Sequence, residues 1–278
     1  MKKVVIPKTN LRTSRLGFGT ASLHHLFRPS DRRALLGTAL DAGLSHFDTA
    51  PMYGEGIAER ELGRFLGSAR QRVTIATKIG FPTIAAFEHF PPLLYAHRAL
   101  GPIGRRVVPG LWNYRPRSLT RSSVEQSLTR SLNALRTDWI DLLLVHEPED
   151  KDIEPLLRLT EWLQSQKVGG RVRYLGLAGS VSNCLEVARQ TPGLFDILQV
   201  EDSLAATEAD AVIAAGWPLQ ITFGYLRGVA VAQVELDASD VIKAALARNR
   251  EGMVLVSSRD PIRVNILASL AESDGGRL

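Results

Sequence analysis

Short apolar runs rich in β-branched residues alternate along the chain with longer amphipathic stretches, and this alternation constrains the fold more than any other feature. Eight runs and eight stretches are the numbers expected for a (β/α)8 barrel, because each parallel strand needs a helical crossover to the next. The sequence therefore predicts an α/β fold of the TIM-barrel type. The predicted strands are 16–19, 45–48, 73–78, 140–146, 174–177, 197–200, 219–222 and 253–256. The predicted helices lie near 30–42, 58–69, 118–136, 153–167, 181–191, 207–215, 239–250 and 260–271.

Local signals mark the ends of several predicted helices. Ser30 and Asp31 are suited to cap the first turn of the first helix, and Ser122 and Ser123 precede the apolar face of the third. Gly43 follows the first helix and is expected to adopt the left-handed conformation of a C-cap. These signals support the assignment of the amphipathic stretches to helices.

Two segments lie outside the regular alternation. Residues 4–6 and 11–13 flank a turn and predict a small N-terminal β-hairpin that closes the bottom of the barrel. Residues 79–118 form a long, proline-rich loop after the third strand, on the face where such barrels carry their active sites. We expect this loop to fold over the barrel mouth, the alternative being a loop without substrate contact. Its aromatic and basic residues would supply part of the substrate wall and a positive rim suited to anionic or polyhydroxylated substrates: Trp112, Tyr114, Arg105, Arg106 and Arg115.

The composition is that of an ordinary globular protein, with 45% hydrophobic and 23% charged residues in a chain of 278. No linker or repeat divides it, so we expect a single domain over residues 1–278. The net charge of +5 comes from dispersed basic residues rather than a continuous tract, which argues against nucleic-acid binding. Cys184 is the only cysteine, and no apolar run has the length of a signal peptide or a transmembrane helix. These features predict a cytoplasmic protein with neither nucleic-acid nor membrane partners.

Four polar residues lie at or just after the ends of neighbouring predicted strands. Asp48 and Tyr53 follow the second strand, Lys78 ends the third and His146 ends the fourth. Because the strands of a barrel end on one rim, the four side chains are expected to converge. Each also has a structural interpretation when taken singly. These are a turn cap, loop packing, a solvated lysine and a core histidine, respectively.

Together the four side chains form a set suited to carbonyl chemistry. A buried lysine beside a tyrosine is expected to lower the pKa of the tyrosine, and a carboxylate keeps that lysine charged. A histidine can donate a hydrogen bond to a carbonyl oxygen. The set predicts that Tyr53 donates a proton to a carbonyl that becomes an alkoxide, while a nicotinamide cofactor supplies the hydride. No metal site is predicted.

Several motifs resemble those of the aldo-keto reductase family over roughly residues 12–270. The most specific are FDTAPMYG at residues 47–54 and DWIDLLLVH at residues 138–146, with TKIG at residues 77–80 between them. The resemblance implies NAD(P)H-dependent reduction of an aldehyde, ketone or aldose to an alcohol, or the reverse reaction, with Tyr53 as general acid or base. The catalytic residues that it implies are Asp48, Tyr53, Lys78 and His146.

The resemblance also implies a site for NADP(H), which is expected to bind in preference to NAD(H). LGFGTA at residues 16–21 resembles the first-strand turn of the family, and VLVSSRDPIR at residues 254–263 resembles its eighth strand and adenosine-phosphate helix. After the fifth strand the family commonly has Ser-Asn, which grips the nicotinamide amide. This chain has Ala178-Gly179 instead and loses two side-chain hydrogen bonds. The expected cofactor-binding residues are Gly19, Thr20, Asp48, Gln199, Ser258 and Arg263.

Alternative interpretations remain open beside the leading one. A non-catalytic, NADP-binding regulatory barrel is favoured by Ala178-Gly179. A metal-dependent hydrolase would use Asp48, His146 and Glu147. At the proposed phosphate site, the arginines would instead be solvated residues of a surface helix. The leading interpretation expects a small-molecule carbonyl or alcohol as partner, and it predicts no oligomeric state.

Overall fold

The computed structural model describes residues 1–83, 116–227 and 237–273, together with residues 87, 90, 92 and 94–96. Most of the long loop at 79–118 lies outside the described residues. The flap expected over the barrel mouth therefore stays a prediction. The same is true of the substrate wall and positive rim assigned to residues of that loop: Trp112, Tyr114, Arg105, Arg106 and Arg115.

The N-terminal hairpin is present, shifted by one residue from its predicted bounds. Strands β1 (Lys3–Val5) and β2 (Arg12–Ser14) pair antiparallel. Ile6 and Leu11, in the turn between them, are buried against side chains that fill the inside of the barrel. This packing closes the bottom of the barrel, as the sequence predicts.

Eight parallel strands form a closed barrel, which confirms the predicted fold class. The barrel closes where the last strand pairs with the first barrel strand, Val254 opposite Leu16. Three strands have their predicted bounds, and the others differ by one or two residues at one or both ends. The strands are β3 (Leu16–Gly19), β4 (His46–Asp48), β5 (Thr74–Ile79), β6 (Ile140–His146), β7 (Val172–Gly179), β8 (Ile197–Glu201), β9 (Ile221–Phe223) and β10 (Met253–Val256).

Helices occur where the amphipathic stretches predict them, but two of them begin differently. Pro29 starts the first helix, because its fixed φ suits the first turn, and no side chain caps that end. Thr120, rather than a serine, caps the third helix, and its hydroxyl accepts from the Ser123 N–H at 3.2 Å. Gly43 has φ +85°, which confirms the predicted C-cap conformation. The helices are α1 (Pro29–Asp41), α2 (Ile57–Leu66), α3 (Arg121–Leu135), α4 (Ile153–Val168), α5 (Val181–Gln190), α6 (Asp210–Ala214), α7 (Ala238–Arg248) and α8 (Pro261–Ser273).

The core around the barrel has two parts, and alternation along each strand divides the side chains between them. In β6, Leu142 and Leu144 point into the barrel, whereas Leu143 and Val145 pack against the helices outside. The inward row of β6 ends at His146, whose side chain is only partly buried. The last inward residue of a strand is therefore the one that reaches the open end of the barrel.

A buried arginine just before the first barrel strand binds the segment between α7 and β10. Arg15, which is 1% exposed, donates hydrogen bonds to the carbonyl oxygens of Asn249 at 2.6 Å and Gly252 at 3.0 Å. It also donates to the Leu246 carbonyl oxygen at 2.5 Å, near the end of α7. These bonds satisfy carbonyl groups that a helix end leaves without partners.

Candidate active site

The candidate site is built from inward-facing residues at or near the ends of four barrel strands. Asp48 ends β4, Lys78 is the last inward residue of β5, His146 ends β6 and Gln199 lies near the end of β8. Each lies two residues after an inward-facing residue of the same strand, for example Lys78 after Ala76. The sequence-predicted residues therefore converge at one end of the barrel because strand side chains repeat every two residues.

Asp48 and Lys78 form a buried ion pair. The Lys78 ammonium donates to both Asp48 carboxylate oxygens, at 2.7 and 2.8 Å, and to the Thr49 carbonyl oxygen at 2.9 Å. Burial alone would lower the pKa of Lys78, but Asp48 and Tyr53 together hold this pKa above its ordinary value. Lys78 is therefore a cation at neutral pH although its side chain is almost fully buried.

Tyr53 lies in the turn after β4, beside the ion pair. The Lys78 ammonium is 4.9 Å from the centre of the Tyr53 ring. The turn requires glycine at the next position, because Gly54 has φ +65° and an added Cβ would lie 2.4 Å from the Cβ of His24.

The predicted lowering of the Tyr53 pKa is wrong. Burial raises the pKa of Tyr53 above its ordinary value, and the charge and hydrogen bonding of Lys78 offset this only in part. The negative charge of Asp48 raises the pKa further. Sequence reasoning counted the lysine but not the burial that accompanies it.

His146 completes the group. Its ring packs edge-on against Tyr53 and Phe81, with ring centroids 5.9 and 5.4 Å apart, respectively. Burial and the charges of Lys78 and Arg117 lower the pKa of His146 to about 2, so the ring is neutral at neutral pH. A neutral imidazole has one N–H, which suits it to donate a hydrogen bond to a carbonyl oxygen without transferring a proton.

Gln199 connects the ion pair to the opposite wall. Its amide nitrogen donates to an Asp48 carboxylate oxygen at 3.0 Å. Its amide oxygen is buried and has no hydrogen-bond partner among the described residues. A buried amide oxygen of this kind is a ready acceptor for an N–H group of a ligand.

These residues surround a cavity of about 310 Å³ at the open end of the barrel. The volume is at the lower end of the range of ligand pockets, about 300–1,000 Å³. Much of the wall is apolar, so a bound ligand would lose most of its contact with water. The apolar part includes Ala178, Phe223, Leu226, Ile242, Leu255 and Val256.

Sequence reasoning missed part of this wall. Phe223 lies two residues after the inward-facing Ile221, so the alternation along β9 is a signal that could have found it. Leu226 and Arg227 follow the end of β9 without any periodic pattern. Arg117, which donates to the carbonyl oxygens of His146 and Glu147, lies at the end of the long loop and carries no signal in the sequence.

The residues predicted to bind the cofactor are only partly brought together. Gly19 lies on the cavity wall, but the Thr20 hydroxyl is buried and donates to the Asp48 carbonyl oxygen at 3.0 Å. Ser258 is also outside the wall, and its hydroxyl accepts from the Asp260 N–H at 3.1 Å before α8. Arg263 is exposed in the first turn of α8.

The described residues give no support to a metal centre. Within 1–83, 116–227 and 237–273, no three His, Cys, Asp or Glu side chains are grouped so that they could hold a metal ion. None of the helices in this part of the chain combines the length and apolar character that crossing a membrane requires.

Comparison with known proteins identifies the family. The sequence model of the Aldo/keto reductase family matches residues 15–211. The chain belongs to this family. The aldo/keto reductase described here is 30% identical over 216 residues to a D-threo-aldose 1-dehydrogenase of a Pseudomonas species. That match covers 70% of this chain and 59% of the length of the Pseudomonas enzyme.

Solved structures of the family share the fold. An aldo-keto reductase from Bacillus halodurans in its holo form has a TM-score of 0.75 at 19% identity, covering 98% of this aldo/keto reductase and 91% of that chain. A Klebsiella pneumoniae aldo-keto reductase in complex with NADPH has a TM-score of 0.65 at 18% identity, covering 98% and 90% of the two chains. At identities of 18–19%, the likeness shows that the fold is shared.

Proposed function

We propose that this aldo/keto reductase is an NADP(H)-dependent oxidoreductase that interconverts a small carbonyl compound and its alcohol, with Tyr53 as general acid and base. The observation that carries the proposal is the convergence of Tyr53, a neutral His146 and the buried pair of Lys78 and Asp48 on one largely apolar cavity. Membership of the family supports the same reaction class.

The residues divide the proton chemistry between them. When bound, the nicotinamide cofactor supplies or accepts the hydride. The Tyr53 hydroxyl donates its proton to the oxygen that becomes an alkoxide, and its raised pKa keeps that proton in place at neutral pH. Lys78 stabilises the phenolate that remains, because Asp48 keeps its ammonium charged. His146 orients the carbonyl oxygen through its N–H group.

The cofactor fits the site at the nicotinamide end. The unpartnered amide oxygen of Gln199 can accept from a carboxamide N–H, and Gly19, which has no side chain, lies on the wall of the same cavity. The preference for NADP(H) rests on Arg263, an exposed cation in the first turn of α8, where a 2′-phosphate would find a charged donor. The NADPH complex of the Klebsiella pneumoniae relative supports this choice of cofactor.

Two measurements test the proposal. Titration with NADPH and with NADH, followed by fluorescence, gives the affinity for each cofactor. A screen of aldehydes, ketones and aldoses, and of alcohols with the oxidised cofactors, then measures turnover. Aldoses enter the screen because the Pseudomonas relative is a D-threo-aldose 1-dehydrogenase. Cofactor-dependent turnover is expected, whereas tight cofactor binding without turnover of any compound would favour the regulatory barrel.

A further inference from the structure

The residue after His146 has an unusual backbone conformation. Glu147 has φ +48°, in the left-handed region that residues other than glycine rarely adopt. The Glu147 N–H donates to the Ala178 carbonyl oxygen at 2.6 Å. The Arg117 guanidinium donates to the carbonyl oxygens of Glu147 and His146. Contacts from both sides therefore hold a conformation that the chain would not adopt by itself.

The neighbouring strand comes close to this side chain at the glycine with which it ends. A Cβ added at Gly179 would lie 3.0 Å from a carboxylate oxygen of Glu147, 3.1 Å from its Cα and 3.2 Å from Pro148. A side chain at position 179 would thus crowd the carboxylate and the backbone of Glu147.

The Glu147 carboxylate lies on the wall of the cavity without a protein partner. Within residues 1–83, 116–227 and 237–273, no group forms a hydrogen bond or ion pair with it. The other nearby acid, Glu201, is paired with Arg227. The side chain is exposed at the cavity, and the cations whose charges act on it, Lys78, Arg117 and Arg227, make no bond to its carboxylate, so this carboxylate is open to a hydrogen-bond donor of a ligand.

We infer that Glu147 is a specificity-determining residue, whose carboxylate accepts a hydrogen bond from a hydroxyl group close to the reacting carbon of the substrate. This inference rests on the proposed function and names the substrate class: hydroxylated carbonyl compounds and polyols. Glu147 directly follows His146 in the chain, so the hydroxyl that it binds belongs to a carbon near the carbonyl. A charged acceptor makes this hydrogen bond stronger than one between neutral groups, whereas the same charge repels a substrate carboxylate.

The test compares matched substrates in the wild type and in Glu147→Gln. The values of kcat/KM for D-glyceraldehyde and for propanal give a preference ratio that reports on the hydroxyl groups alone. We expect Glu147→Gln to lower this ratio about tenfold or more, chiefly by raising KM for glyceraldehyde, while kcat/KM for propanal changes less than threefold. In Glu147→Gln, kcat/KM for succinic semialdehyde, an anionic substrate, is expected to rise relative to kcat/KM for propanal. Glu154→Gln is the control, since it removes one exposed charge at the start of α4 and should leave the ratio unchanged.

A binding measurement separates this inference from the proposed function. Saturation-transfer NMR compares xylitol with 1-pentanol on the wild type and on Glu147→Gln, without any turnover. Preferential binding of xylitol that is lost in Glu147→Gln supports the inference even if no carbonyl compound is reduced. If carbonyl compounds are reduced but both the preference ratio and xylitol binding are the same in Glu147→Gln, Glu147 has no role in specificity, although the proposed function stands.

Discussion

Tyr53 is the residue on which the proposed chemistry depends most directly. Tyr53→Phe removes only the hydroxyl group, so cofactor affinity and folding should change little. Loss of the general acid should lower kcat by roughly 10²-fold or more. Stopped-flow and steady-state assays with the best aldehyde of the screen measure this, and turnover near the wild-type rate would refute the assignment.

The raised pKa of Tyr53 fixes the direction of the pH dependence. Reduction needs the protonated hydroxyl, so its kcat/KM should be constant through neutral pH and fall only as the pH rises through that raised pKa. Oxidation needs the phenolate and should accelerate over the same range. The pH profiles of both directions check this. If kcat/KM for reduction already falls as the pH is raised from 6 to 8, the prediction is contradicted.

The buried pair of Asp48 and Lys78 predicts a coupled effect on stability. Lys78→Met leaves the Asp48 carboxylate buried without its cation, and the free energy of unfolding should fall by about 3–5 kcal/mol. The double variant Asp48→Asn/Lys78→Met should lose less free energy of unfolding than Lys78→Met alone, because no unpaired charge remains buried. Urea denaturation of Asp48→Asn, Lys78→Met and the double variant measures the coupling. A double variant less stable than Lys78→Met would show that the two residues do not act as a pair.

At the residue scale, alternation along the strands accounts for what could be predicted. Asp48, Lys78, His146 and Gln199 come together because each lies at or near the end of an inward row whose period is visible in the sequence. The direction of the Tyr53 pKa could not be predicted, since it depends on how completely residues distant in sequence bury the hydroxyl. The sequence identified Glu147 only as a possible metal ligand, because its position depends on a glycine 32 residues later.

At the scale of single elements, the end of α7 depends on a residue from the other end of the chain. Arg15→Leu would leave the carbonyl oxygens of Leu246, Asn249 and Gly252 without this donor. The free energy of unfolding should fall by about 2–3 kcal/mol, as expected for loss of charge-assisted hydrogen bonds in a buried site. Denaturant titration measures this against Arg12→Leu, a strand arginine that is exposed. Equal losses in the two variants would refute the role given to Arg15.

The ends of elements show where local signals are insufficient. The serines at 122 and 123 are good capping residues, yet α3 begins earlier and is capped by Thr120. Strand β7 continues past its predicted end to Gly179, because Ala178 and Gly179 pair with Gln199 and Val200 of β8. Pairing of this kind depends on the neighbouring strand, so no local pattern of residues predicts it.

At the scale of the whole molecule, the number of alternating segments was enough to predict a closed barrel. Closure requires only that the last strand pair with the first, as Val254 does with Leu16. The long loop between β5 and α3 had no such constraint, since neither periodicity nor pairing fixes its path. Its expected role at the barrel mouth therefore stays a prediction.

The cavity is assembled from strands at both ends of the chain, so a cofactor bound there should stabilise the whole barrel against unfolding. At 100 times its dissociation constant, NADPH should add about 2.7 kcal/mol and raise Tm by roughly 4–8 °C. If Arg263 binds the 2′-phosphate, NADH at the same concentration should raise Tm less, and Arg263→Gln should reduce the NADPH effect to that of NADH. Arg250→Gln changes an exposed arginine near the end of α7 and serves as the control. Equal shifts with both cofactors in the wild type, measured by differential scanning fluorimetry, would contradict the NADP(H) preference while leaving the carbonyl chemistry of Tyr53 intact.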